Sequence, residues 1–115
     1  METKTKKALK GGEFVVRDTD FSDVFIPEEF TSEQKEIASS CRKFLEREVF
    51  PNLDRIDKQE EGLTVSLLEK SGDQGLLGLS VPQEYGGIGV DFVSSMLATE
   101  VLGAGYSFSV SFGAH

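Results

Sequence analysis

A single cysteine, Cys41, and a single histidine, His115, occur in the 115 residues. That scarcity excludes a disulfide framework and any zinc site built on CxxC or HExxH spacing, so no metal ligand is expected, and Cys/His catalysis has little to work with. Basic residues are outnumbered, twelve Lys and Arg against twenty Asp and Glu, for a net charge of −8. An acidic surface repels phosphate backbones, so no nucleic-acid partner is expected. The basic cluster, Lys4, Lys6, Lys7 and Lys10, reads as a solvated terminal tail. Long apolar runs are missing too. The longest uncharged stretch, Val101 to Ala114, is diluted by Gly and Ser and falls short of the roughly 20 residues a helix needs to cross a bilayer. The N-terminus lacks the apolar core of a secretory signal and has no Arg in its first ten residues, which makes cytoplasmic the default location.

What remains is 38% hydrophobic and 28% charged, the balance of a soluble globular chain, at a length that suits one domain. Residues 1 to 30 read as an irregular arm. Its Phe14, Phe21, Phe25 and Phe30 are spaced so as to wrap a core by their rings. Pro27 stops any helix there, and the Thr31 to Gln34 run then fits a capping box, in which the Thr31 hydroxyl and the Gln34 side chain satisfy free backbone N–H groups. Ile37, Ala38, Cys41, Phe44, Leu45 and Glu48/Val49 follow with helical spacing and predict an amphipathic helix of four to five turns. Cys41 lies on its apolar face, as a small buried hydrophobe. Pro51 ends or kinks this helix, or opens a new turn carrying Leu53 and Ile56.

Leu63, Leu67 and Leu68 line a second helix that runs out between Ser71 and Gly75. The stretch from Gly75 to Gly89 (GLLGLSVPQEYGGIG) reads as a tightly packed, apolar loop. Asp91 is a good N-cap for a third helix, whose buried side would hold Phe92, Val93, Met96, Leu97, Val101 and Leu102. From Tyr106 to His115 apolar residues and serines alternate with period two, which taken alone argues for a strand, while the pairs Tyr106/Val110 and Phe108/Phe112 also share helical faces. The pattern by itself leaves both open. The chain stops inside this apolar segment without a polar tail, so a truncated piece of a longer protein is expected.

Several motifs have plain structural readings. The glycines at 86, 87 and 89 miss both the GxGxxG and the GxxxxGK[ST] spacing of phosphate-cradling loops. Glu28/Glu29 and Glu60/Glu61 sit in solvated polar runs, where ordinary carboxylates are expected. Ser107, Ser109 and Ser111 have no evident His or Asp partner for nucleophilic work. Small side chains along a helix do leave room beside the backbone for a ligand or a neighbouring helix.

The GLLGLSVPQEYGGIG stretch resembles the G-hydrophobic-hydrophobic-G-hydrophobic…P-x-x-Y/F-G-G-x-G signature of the acyl-CoA dehydrogenase N-terminal helical domain. Upstream, the FLEREVFP run from Phe44 to Pro51 agrees with it, and downstream so do Glu100 to Gly103 and Ser111 to His115. The similarity covers about residues 31 to 115. The KGGEF run from Lys10 to Phe14 and the closing FGAH are most similar to the very-long-chain branch and its bacterial relatives.

The resemblance implies an all-α fold, an antiparallel helical bundle over residues 31–115 behind the arm at 1–30, with a middle β domain to follow. It settles residues 106 to 115 in favour of helix. It also implies α,β-dehydrogenation of a fatty acyl-CoA in fatty-acid β-oxidation, with FAD as hydride acceptor and an electron-transfer flavoprotein as electron partner, in a homodimer or homotetramer. The catalytic base and most flavin contacts belong to later domains, so no catalytic residue is assigned here and the piece alone is expected to be inactive. Carried over, the substrate-facing positions are Ser109, Val110, Gly113 and Ala114, one wall of the acyl tunnel. Small residues at Ser109 and Gly113 would deepen that tunnel for a medium-to-long chain, since each further buried methylene is worth about 0.8 kcal/mol. The alternative reading is a non-catalytic helical interaction domain that docks a partner through its apolar C-terminal segment.

Overall fold

The structure, a computed structural model, describes residues 9–114. Lys4, Lys6, Lys7 and His115 therefore lie outside the described residues. The chain forms two compact units that meet in sequence at Thr31 and Ser32.

The first unit has little regular structure. A one-turn helix, α1 (Glu13–Val16), begins after Gly12, whose φ of 86° is a left-handed conformation that glycine adopts without a Cβ penalty. Glu13 reaches back to accept from the Lys10 amide at 2.8 Å. A 3₁₀ turn at Phe21–Asp23 is capped by Asp20, which accepts from the Ser22 amide at 2.9 Å and from the Ser22 hydroxyl at 2.5 Å. A second turn at Pro27–Glu29 is closed by the Glu29 carboxylate on the Ile26 amide. Phe25 and Phe30 pair with ring centroids 5.5 Å apart. Phe14 and Phe21, expected to be buried, are 65% and 88% exposed. Here the aromatic spacing misleads, because a backbone of isolated turns has no continuous face on which spaced rings can converge.

The second unit is all-α, and no strand occurs among the described residues. Helix α2 (Ser32–Phe44) starts where the Thr31 signal places it. It passes directly into a π turn at Leu45–Val49 and a 3₁₀ turn at Phe50–Asn52 before α3 (Leu53–Asp57). Pro51 explains this sequence of turns. Its missing N–H leaves the ladder a donor short, and its ring would strike the carbonyl one turn back in a regular α-helix. Widening the preceding turn makes room. The Asn52 side chain then donates to the Glu48 carbonyl at 2.7 Å, replacing a bond that the disturbed ladder lacks. Phe44, Leu45 and Val49 are all buried as a result.

Helix α4 (Leu63–Asp73) buries Leu67 and Ser71, and Lys70 on its outer side pairs with Glu48 at 2.7 Å. The segment from Gly75 to Val90 is a loop folded back on itself. Ile88 donates to the Gly78 carbonyl at 2.9 Å and Val90 to the Leu79 carbonyl at 2.8 Å, which draws its two limbs together. Gly87 is required at the closest point, where a Cβ would stand 2.0 Å from the Val81 carbonyl oxygen.

Asp91 caps α5 (Phe92–Leu102), accepting from the Ser94 amide at 2.7 Å. The buried row on α5 is Ser94, Ala98 and Leu102, whereas Phe92 is 75% exposed and Met96 is exposed as well. This corrects the expectation that Phe92 and Met96 face inward. α5 packs along α2, and helices lying close together favour small side chains at the line of contact. The larger residues, about half a turn round, are left on the outer side. A 3₁₀ turn at Gly103–Gly105 leads to α6 (Ser107–Ala114), which packs on α3 and α4. The period-two alternation after Tyr106 is thus carried by a helix. Phe108 and Phe112, one turn apart, point to the core together while the serines flank them.

Candidate functional site

Helix α6 carries all four residues expected to line a substrate wall, and its i, i+4 geometry sets Ser109 beside Gly113 and Val110 beside Ala114. The two rows are adjacent, so the four residues share one side of the helix. The buried Phe108 occupies the other side. Val110 is 74% exposed, Gly113 and Ala114 are exposed, and Ser109 is half-buried.

Ser109 has turned its hydroxyl inward, donating to the Leu102 carbonyl at 2.5 Å. Its donor is therefore engaged within the unit. Gly113 is the open position of the row, since a Cβ built there would meet no atom within 4 Å. Gly113 and Phe112 border a cleft of about 200 Å³ whose other walls include Leu76, Leu79, Ser95, Ala98 and Thr99. Ser95 and Thr99 were not singled out in the sequence. The signal that could have found them is their i, i+4 spacing, which sets two small polar residues on one side of a largely apolar helix. Thr99 donates its hydroxyl to the Ser95 carbonyl at 2.9 Å, which engages that donor within α5.

A second cavity, of about 480 Å³, lies where α6 faces α3 and the start of α4, lined by Asp57, Glu60, Glu61, Ser107 and Ser111 among others. Ser107 donates its hydroxyl to Asp57. A serine of the ladder thus has an acidic partner that sequence spacing hid, fifty positions away. No histidine lies among the described residues to serve the pair as a base.

Burial pushes the Cys41 thiol up to about 11, which leaves almost no thiolate at neutral pH, as its place on the apolar face of α2 implied. Hydrogen bonds from Ser94 hold the Asp91 carboxyl below its ordinary value, and the Gln34 side chain adds a long contact of 3.5 Å from α2. Glu60 is lowered by its bonds with Arg55, which grips it through Nε at 2.5 Å and Nη2 at 2.6 Å. No cluster of His, Cys, Asp or Glu among the described residues could hold a metal ion. No helix among them is long and apolar enough to cross a membrane.

Comparison with known proteins agrees with this helical frame. Residues 31–115 match the family model for the acyl-CoA dehydrogenase N-terminal domain. A probable acyl-CoA dehydrogenase of Bacillus subtilis (strain 168) is 43% identical over 115 residues, which is all of this chain and 19% of that protein. The mitochondrial long-chain specific acyl-CoA dehydrogenase of Rattus norvegicus is 38% identical over 79 residues, 69% of this chain and 18% of its own. Among solved structures, the crystal structure of an acyl-CoA dehydrogenase complexed with FAD from Bacillus anthracis superposes with a TM-score of 0.87 at 44% identity, covering 94% of this chain and 19% of that one. The chain spans about a fifth of the length of these relatives. With its signature loop folded and its helices in register with a solved relative, the chain belongs to the acyl-CoA dehydrogenase family, as an N-terminal domain of that family.

Proposed function

We propose that the chain is the N-terminal helical part of a FAD-dependent enzyme that dehydrogenates a fatty acyl-CoA thioester between its α and β carbons. In this reading α6 supplies one wall of the acyl tunnel, through Ser109, Val110, Gly113 and Ala114. The observation that carries the reading is the open Cβ position at Gly113, on a helix side that also exposes Val110, within a chain of this family. Ser109 adds to it, because a hydroxyl engaged with the Leu102 carbonyl leaves a wall that methylene groups can contact without stranding a donor.

The described residues do not make a flavin site by themselves. The one glycine-rich loop spends its amides internally, Gly86 on Gln83, Gly87 on Pro82, Ile88 on Gly78 and Val90 on Leu79, so it offers no cradle for a diphosphate. FAD, which accepts the β-hydride when bound, is assigned in this proposal mostly to parts of the enzyme that follow the helical domain, along with the base that removes the α-proton. This chain's own contribution is to bind and orient the acyl chain and to keep water from it.

The complete enzyme is proposed to consist of an arm at residues 1–30, the helical domain at 31–115 and later domains. It is further proposed to work in fatty-acid β-oxidation in the cytoplasm, to pass electrons to an electron-transfer flavoprotein and to assemble as a homodimer or homotetramer. The chain is further proposed to belong with the bacterial relatives of the very-long-chain branch; the Bacillus subtilis relative, which matches along the arm as well as the domain, supports the bacterial part of that reading.

The test is flavin absorbance and dye reduction by the full-length protein, offered acyl-CoAs from short to very long. A bound flavin and acyl-CoA-dependent reduction are expected. If neither is found, the competing reading of a helical interaction domain docking through its apolar C-terminal segment gains. Gly113→Phe should then shorten the preferred chain, by about fourfold in kcat/KM for each methylene excluded. An unchanged chain-length profile would remove α6 from the tunnel wall.

A further inference from the structure

Tyr106 holds φ 51° and ψ −124° between the Gly103–Gly105 turn and the first residue of α6. A Cβ is crowded by its own backbone in this region, which is why glycine dominates the corresponding place in type II′ turns. A glycine stands one residue too early, at 105, to relieve it. The Tyr106 ring is 72% exposed, so packing of the ring does not hold the conformation.

Four contacts around the corner do hold it. Ser107 donates its hydroxyl to Asp57 at the end of α3. Ser109 donates its hydroxyl to the Leu102 carbonyl at 2.5 Å and its amide to the Tyr106 carbonyl at 3.0 Å. Gly105 is buried against the π turn, where a Cβ would stand 3.1 Å from Leu45 Cδ2 and 3.0 Å from Ser109 Oγ, so the corner has no room to retreat. Backbone strain of this kind persists only where the surroundings over-determine it. Helix α6 has eight residues, too few to keep its shape and position without tertiary support.

We propose that this corner is a conformational latch: the Asp57–Ser107 bond and the Gly105 packing together hold Tyr106 in a glycine-like conformation, and loss of that bond lets the corner relax and the first turn of α6 open from α3, while Phe108 and Phe112 keep the helix seated on the core. The strain favours release and the clamps oppose it. The latch rests on geometry and does not require the tunnel reading. Where that reading holds, opening of that turn moves the start of the acyl wall.

The test compares the full chain with Tyr106→Gly, Tyr106→Ala, Ser107→Ala and the Ser107→Ala/Tyr106→Gly double variant, by thermal unfolding and amide hydrogen exchange. Tyr106→Gly should raise Tm by several degrees, because it removes the Cβ that the backbone conformation penalises. Tyr106→Ala keeps that Cβ and removes only the exposed ring, so Tm should stay nearly unchanged. Ser107→Ala should speed exchange within residues 102–114 by roughly tenfold or more while α2 exchanges as before. In that background the glycine should gain clearly less, since the strain is already released. The proposal is overturned if Tyr106→Gly lowers Tm or behaves like Tyr106→Ala, if exchange in 102–114 is unaltered by Ser107→Ala, or if the glycine gains equally in both backgrounds. Should Ser107→Ala fail to fold, Asp57→Ala breaks the same bond from the other side and is read in the same way.

Discussion

The rings of Phe44 and Phe108 lie 5.8 Å apart at an interplanar angle of 42°, both shut away from solvent, and they join the end of α2 to the first turn of α6. A tilted pair at this distance is worth about 0.5–1.5 kcal/mol beyond the area it buries. Phe112 extends the group, 6.1 Å from Phe108. The side of α6 opposite its open row is thus fastened to the core of the unit.

Phe108→Ala should therefore cost about 3–5 kcal/mol, the range for emptying a fully buried aromatic site. Urea unfolding followed by far-UV circular dichroism measures it. Phe108→Leu, which refills most of the space, should cost clearly less. Equal losses for the two would mean that the ring is not packed as described.

Two glycines predict opposite outcomes. Gly87→Ala places a Cβ 2.0 Å from the Val81 carbonyl oxygen, a backbone atom that cannot swing aside, so the variant should be strongly destabilised or fail to fold. Gly103 has ordinary helical dihedrals and no atom within 4 Å of a Cβ position. Gly103→Ala should stabilise by about 0.4–1 kcal/mol through the unfolded chain. The two denaturation midpoints decide the matter.

Asp91 predicts a pH dependence. Its carboxyl lies below the ordinary value in the folded state because the Ser94 groups bond the charged form. The unfolded chain therefore binds the proton more readily, so the stabilisation is complete above the unfolded value near 3.9 and is lost as pH falls through the lower, folded one. Asp91→Ala should cost about 0.5–2 kcal/mol at neutral pH, as loss of an N-cap does. The gap between wild type and variant should close as the pH drops below about 4. A gap that stays constant down to pH 2 would show that the cap does not depend on charge.

Cys41 should be nearly inert. With its thiol at about 11 and no exposed surface, alkylation by iodoacetamide at pH 8 should run at least about a hundredfold slower in the native protein than in denaturant. Rapid native labelling would place Cys41 at the surface, against the packing of α2.

The sequence by itself determined the family, through the Gly75 to Gly89 signature. It also determined the start of α2, the Asp91 cap and the burial of Cys41. These are local matters. A cap needs an acceptor three residues from a free N–H, and an amphipathic face needs a period, so both can be read without knowing what packs against them. Ser109, Val110, Gly113 and Ala114 were legible only through the resemblance, and it took the structure to place them on one side of a helix.

Tertiary structure alone decided the rest. It turned Ser94 and Ala98 inward on α5 instead of Phe92 and Met96, because α2 lies too close for large side chains. It brought Asp57 to Ser107 across fifty residues. In each case the outcome depends on the distance between two segments remote in sequence, and a local pattern carries no record of that distance.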